Sequence, residues 1–425
     1  MEKFQFSVVD TVGLLGQDTL TKECKRQLSV LHKVQAGEQK YSDNLGWSTV
    51  DSWANEKQID DLLALSKQIK EKADTLVVIG IGGSNQGARA AISALNKKSS
   101  VEIIWAGNNL SSYEANKTLE HLKDKVFVID VIAKNFETLE PGVAFRIFRH
   151  ELELRYKKNA KDYIVITGTR GSFSQQLAQQ HGYRFLTFPT DIGGRYSVLS
   201  DVGLFPMAVA DIDIKQLVAG ARTMQDKLAK NDTPTNPALE YAVFRNLIGK
   251  LGYKIEMLSF FEPRLTDFGR WWVQLMAESE GKDNKGLFPV VSCYSELLHS
   301  TGQFVQEGSN ILFETFIRVV DDGSPVISLH NDNVDDHFDY LDTKNLSQVN
   351  HAAFKATLTA HAMRFPCLEL TVGRLEEFEL GELFFFFMYT CYLSCLLTGV
   401  NPFDQPGVEA YKNYMFQELG KNSAK

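Results

Sequence analysis

Apolar and polar positions along the chain alternate between two periods. Residues 11–75 are largely polar, with apolar positions at helical spacing, as in 59–72. Residues 76–81 form a short apolar run rich in β-branched side chains, the pattern of a strand buried in a parallel sheet. Further strands are predicted at 101–105, 126–132, 163–166 and 184–188, with helices at 87–96, 141–157 and 174–181. After Ile212, helices at 216–229 and 237–251 lead into a second set of strands at 254–260, 286–293, 311–320 and 367–372. This alternation predicts an α/β fold with mostly parallel sheets and helices on both faces. A chain of 425 residues is too long for one core, and two units are expected, 1–210 with a helical N-terminal arm and 211–425.

Two segments break the pattern. Residues 321–347, rich in Asp and Asn, read as an exposed excursion. Residues 383–400 carry no charge over a length at the lower limit for a membrane span. They contain Thr390, Ser394, Thr398 and two tyrosines and are flanked by Glu382 and Asp404, so a helix buried in a large domain is expected and no membrane partner. Composition agrees with a globular protein, at 44% hydrophobic and 23% charged residues. The net charge of -8 argues against the concentrated basic face that nucleic acid requires, and an anionic ligand would need a local positive site. The five cysteines are odd in number and irregularly spaced, without a CxxC pair, which fits reduced thiols in the cytoplasm better than a disulfide frame or zinc site. The first ten residues lack a signal pattern.

Candidate chemistry lies in five segments. In 191–200 (DIGGRYSVLS), Gly193 and Gly194 let backbone approach a ligand, and Arg195 places a fixed cationic fork over an oxyanion. In 80–87 (GIGGSNQG), a glycine-rich turn follows a strand and opens a helix, a natural anion site. Asn85 excludes the dinucleotide fingerprint, and Ala88-Arg89 excludes a P-loop, so phosphate or sugar contact and a plain turn both stay open. In 274–282 (QLMAESEGK), Glu278 follows Trp271 and Trp272. Beside such groups a carboxylate becomes a better base, and the alternative is a solvated carboxylate at a helix end capped by Gly281. His299, in LHSTGQ, is either a proton-transfer group or a structural histidine. In 401–412 (NPFDQPGVEAYK), Glu409 and Lys412 form a surface pair, or Lys412 projects into a pocket.

Together and in this order, these segments resemble the glucose-6-phosphate isomerase family in its short bacterial form. GIGGSNQG matches the family's first glycine loop, and DIGGRYSVLS and NPFDQPGVEAYK match its two diagnostic signatures. QLMAESEGK and LHSTGQFVQEG match the catalytic segments between them. The resemblance implies two sugar-isomerase-type αβα domains in a cytoplasmic homodimer that interconverts glucose 6-phosphate and fructose 6-phosphate. It assigns Glu278 as the base moving a proton between C1 and C2, and Arg195 as the stabiliser of the enediolate. It gives ring opening to His299, donated by the neighbouring subunit, with Lys412 on the ring-oxygen side. Gly83, Ser84, Lys134, Asn135, Thr138, Gly194, Gln274 and Gln405 would line the sugar-phosphate pocket, and no metal or organic cofactor is implied.

One segment departs from the family pattern. Where the family reads Ser-Lys-Ser/Thr-x-Thr-Thr, this chain has Ala133-Lys134-Asn135-Phe136-Glu137-Thr138. Two hydroxyls are lost and a carboxylate is gained, and each lost hydrogen bond to a charged group is worth roughly 1.5–3 kcal/mol. That departure leaves open an isomerase acting on a different sugar, or a non-catalytic sugar-phosphate sensor on the same fold.

Overall fold

A computed structural model describes residues 4–16, 18–37, 40–331 and 336–421. The chain opens with β1 (Gln5–Val9), α1 (Thr19–Gln35) and α2 (Glu56–Lys70). The first alternating run is β2 (Thr75–Ile79), α3 (Gly83–Leu95), β3 (Glu102–Ala106), α4 (Ser112–His121), β4 (Phe127–Ile132), α5 (Leu139–Tyr156), β5 (Ile164–Gly168), α6 (Phe173–His181) and β6 (Arg184–Thr187). Three helices follow, α7 (Asp201–Val209), α8 (Ile214–Lys230) and α9 (Pro237–Lys250). The second run is β7 (Ile255–Phe260), α10 (Thr266–Glu280), β8 (Phe288–Cys293), α11 (Thr301–Glu307), β9 (Leu312–Asp321), α12 (Leu346–Ala362) and β10 (Cys367–Arg374), ending in α13 (Glu377–Thr398) and α14 (Glu409–Glu418).

The fold is α/β with two five-stranded sheets. The first has the order β3-β2-β4-β5-β6, all parallel. Strands β2, β4 and β5 are buried throughout, which is why they read as mainly apolar runs, whereas β3 and β6 show partly exposed edges. The second has the order β1-β10-β9-β7-β8, parallel except for β1, which runs antiparallel beside β10. The N-terminal arm is shared between the units: β1 is an edge strand of the second sheet and α1 lies against α9 and α13, while α2 packs on α7 of the first unit. Residues 321–347 are mostly exposed among those described.

Helix starts are set locally. Asn55 and Gln58 form a reciprocal capping box at α2, Asn345 and Gln348 do the same at α12, and Asn236 caps α9 before Pro237. Among the described residues, α13 is the one helix long and apolar enough to cross a membrane. It is instead a core helix: 89% of its apolar window is buried, and it packs against α8, α9 and α10. All five cysteines are unpaired, and all but Cys293 are buried.

In the first sheet, β3 and β4 lie on opposite sides of β2, so the chain reverses direction between β2 and β4. A crevice opens beyond the carboxyl ends of strands at such a switch point, where ligands of open α/β sheets bind. The 80–83 turn after β2 and the 133–138 loop after β4 flank it. Helix α10 of the second unit packs along α3 and brings its carboxyl-terminal turn to the same place.

Candidate active site

Three segments meet at Arg195. It lies in a short 3-10 turn, Gly194–Leu199, and its side chain is 4% exposed. Nη1 faces Glu278 Oε1 at 2.5 Å. Nε donates to Ser279 Oγ at 3.0 Å and to the Pro402 carbonyl at 3.3 Å, while Nη2 donates to the carbonyls of Pro402 at 2.6 Å and Asp404 at 3.0 Å. One guanidinium therefore ties the 194–199 turn, the end of α10 and the 401–404 turn together. Lys282 fastens that last turn again, pairing with Asp404 at 2.7 Å and donating to the Asn401 carbonyl.

Glu278 is neither solvated nor walled in by tryptophan. Trp271 and Trp272 are buried in the core against Phe384 and Phe387, and Glu278's partners are polar. Gln274, one helical turn earlier, donates from Nε2 to Glu278 Oε2 at 3.0 Å. The carboxylate thus has one oxygen on Arg195 and the other on Gln274.

The two glycine loops are seated on this group. Gly82 has φ +58, and a Cβ there would come within 2.8 Å of Gln274 Nε2. A Cβ at Gly83 would overlap the carbonyl group of Gly194, so the loops touch backbone to backbone. From behind, Trp53 Nε1 donates to Asp191 Oδ1 at 2.8 Å, and the Gly46 N–H to the Asp191 carbonyl at 3.0 Å.

On the phosphate side, Ser84 is half-buried at the start of α3. Lys134 Nζ lies 3.5 Å from the carbonyls of both Thr190 and Ile192. Burial holds its ammonium below the usual lysine range, with the nearby Asp191 carboxylate working against that. Asn135, Glu137 and Thr138 are exposed, and Thr138 is the N-cap of α5 without a side-chain capping bond. Phe136 has φ +59, its ring set against Phe145 and Phe173. At the start of α3 the Ser84, Asn85 and Gln86 N–H groups donate to the Ile81 and Gly82 carbonyls, and at the start of α5 the Gly142 N–H donates to the Thr138 carbonyl.

The structure therefore brings Arg195, Glu278, Gln274, Gly83 and Gly194 together, with Ser84 and Lys134 beside them. His299, Lys412 and Gln405 make no side-chain bond to this group among the described residues. His299 is exposed at the end of a short turn, Glu296–His299, after β8. Lys412 pairs with Glu409 at 3.0 Å on the surface of α14, the plain pairing its spacing suggested. Gln405 is exposed in the turn whose carbonyls hold Arg195. Sequence reasoning assigned no role to Ser279 or Lys282, although both stand inside the 274–282 motif. It missed the Pro402 and Asp404 carbonyls, which carry no side-chain signal.

Comparison with known proteins identifies the family. The family model described as phosphoglucose isomerase matches residues 65–423. The chain is 40% identical over 430 residues to the glucose-6-phosphate isomerase of Staphylococcus saprophyticus, covering 99% of this chain and 97% of that protein. The enzyme of the same name from Staphylococcus aureus strain Newman matches with the same identity and coverage. In structure, a hypothetical protein from Thermus thermophilus superposes with TM-score 0.87 at 24% identity, over 98% of this chain and 100% of that one. A glucose-6-phosphate isomerase from Chlamydia trachomatis superposes with TM-score 0.81 at 20% identity, over 99% and 89%. The chain belongs to the phosphoglucose isomerase family.

Proposed function

We propose that this protein interconverts glucose 6-phosphate and fructose 6-phosphate through a cis-enediolate. The observation that carries the reading is the Arg195–Glu278 pair, 2.5 Å apart, at the switch-point crevice of the first sheet. Aldose–ketose conversion needs one base to take a proton from C2 and return it to C1, and one fixed cation for the charge that collects on O1 and O2 meanwhile. Glu278 is the base. Arg195 is the cation, already oriented by backbone carbonyls, so little reorganisation opposes the reaction. Gln274 holds the other carboxylate oxygen and sets the direction of proton transfer.

The phosphate is placed at the starts of α3 and α5, on Ser84, Lys134, Asn135 and Thr138, with Gly83 and Gly194 against the sugar. Ring opening requires an acid–base group besides Glu278, whose bonded partners among the described residues are Arg195 and Gln274. We assign it to His299 of the partner subunit in a homodimer, with Lys412 and Gln405 on the ring-oxygen side. We place the enzyme in the cytoplasm. The domains are taken as 1–210 and 211–425, with the N-terminal arm reaching across to the second.

The test is a coupled assay of fructose 6-phosphate conversion with unphosphorylated fructose in parallel, on wild type and Glu278→Gln. Turnover of the ester alone, falling by about 10²–10⁴ in the variant, is expected. The ester should still raise the melting temperature of Glu278→Gln. A wild-type protein that the ester stabilises but that does not turn it over would be a sensor, and turnover of free fructose would move the substrate.

A further inference from the structure

The strand that leads into the His299 turn is fastened by a buried polar network apart from the Arg195–Glu278 site. Glu314 on β9 is fully buried. Its Oε1 accepts from Ser259 Oγ of β7 at 2.6 Å and from the Tyr294 hydroxyl at 2.6 Å. Its Oε2 is bonded by Nδ1 of His361 on α12, which is also buried. Tyr294 directly follows β8, its N–H donates to the Phe260 carbonyl at 2.8 Å, and its ring packs near Phe261 and His361. Burial, with the Glu314 charge beside it, holds the Tyr294 phenol well above its usual range, so it remains a donor.

A buried carboxylate must be satisfied by several donors or it destabilises the fold. Three of the four groups here join β7, β9 and α12. The fourth, Tyr294, stands at the root of an exposed turn, five positions before His299. The hydrogen bonds within that turn are local: the Leu298 N–H to the Ser295 carbonyl at 3.0 Å, the Ser300 N–H to the Leu297 carbonyl at 3.3 Å, and Thr301 Oγ1 to the Leu297 carbonyl at 2.9 Å. They shape the turn; Leu297 and Leu298 pack its apolar side on the core, and Tyr294 supplies its polar attachment to the sheet.

We propose that the Tyr294–Glu314–His361 network positions His299, fixing the root of the 295–300 turn so that the imidazole is presented at one place on the protomer surface. Tyr294, Glu314 and His361 are positioning residues that touch no substrate. The proposal rests on the assignment of His299 to ring opening.

Tyr294→Phe keeps the ring and the backbone bond to Phe260 and removes the hydroxyl bond to Glu314. Its kcat for fructose 6-phosphate is expected to fall roughly ten- to hundredfold, since a displacement near 1 Å is enough for that, while KM stays unchanged. Ser259→Ala removes a donor to the same oxygen from inside the sheet, away from the turn, and is expected to keep the wild-type kcat. Wild-type kcat in Tyr294→Phe would overturn the proposal, and so would an equal loss in Ser259→Ala, which marks a general effect on the sheet. If Tyr294→Phe does not fold, His361→Gln loosens the same carboxylate from α12. A lower kcat at unchanged KM then supports the proposal, and a wild-type kcat overturns it. His299→Ala separates the premise: full activity there removes the role of His299 itself, whereas loss there beside a normal Tyr294→Phe removes only the positioning network.

Discussion

Arg195 spends all three guanidinium nitrogens on the protein, and two of its acceptors are backbone carbonyls held by their own turn. A lysine could supply the charge at that place but not the fork. Arg195→Lys is expected to lower kcat on the order of 10²–10³ with a smaller change in KM, read in the coupled assay. The altered phosphate loop makes a second expectation at this scale. Glu137 puts a carboxylate on the exposed loop that precedes α5, so Glu137→Thr should lower the KM for the ester by roughly tenfold. An unchanged KM would show that this carboxylate stands clear of the phosphate. Arg195, Gln274 and Glu278 were legible in the sequence because each sits in a continuous motif. The acceptors from Pro402 and Asp404 were not, since a carbonyl contributes no residue identity. Nor does a serine between two glutamates reveal that it faces an arginine.

Secondary-structure elements bring these residues within reach, and their junctions have little tolerance. The turn after β2 and the turn before Arg195 meet where a side chain at Gly83 would overlap Gly194. Gly83→Ala must push the loops apart, and overpacking of this kind costs about 1–3 kcal/mol. Its melting temperature should fall and its kcat/KM with it, and unchanged values for both would mean that the loops are not seated as described. The buried strands β2, β4 and β5 were legible because burial on both faces writes a mainly apolar run rich in β-branched residues. Strand β1 was not, being a five-residue edge strand, partly exposed, whose partner β10 lies near the other end of the chain. The order in which strands pair was likewise invisible to periodicity, which records which face is buried but not by what. Position 130 did carry a sign, an acidic residue within an apolar strand, and its meaning appeared only with its neighbours in place.

Asp130 links the site to the stability of the whole molecule. It lies in β4 beneath the phosphate loop, accepting from Thr167 Oγ1 at 2.8 Å. Burial pushes its carboxyl up to about 7, against the Thr167 hydrogen bond and with help from the Asp201 charge. The folded chain therefore holds this proton more tightly than the unfolded chain, whose carboxyl titrates near 4. The resulting stability is fully present below about pH 4 and is lost as pH rises through about 7. Asp130→Asn cannot titrate, so wild type should lose stability relative to the variant between pH 5 and pH 8, by at most about 3 kcal/mol. Parallel curves of melting temperature against pH would contradict it.

At the same scale, a net charge of -8 gives no general attraction for a sugar phosphate, and the proposed capture rests on the local cations Lys134 and Arg195. The exposed position of His299 makes a second protomer part of the proposed chemistry.

The central claim is that one carboxylate carries a proton between C2 and C1. Glucose 6-phosphate deuterated at C2 tests it most directly, with the product's C1 followed by NMR. A single shuttling base should deliver part of the deuterium to C1 and lose the rest to water, and Glu278→Gln should abolish both transfer and exchange. Complete loss of deuterium to water with none delivered to C1, or transfer that survives Glu278→Gln, would contradict the account.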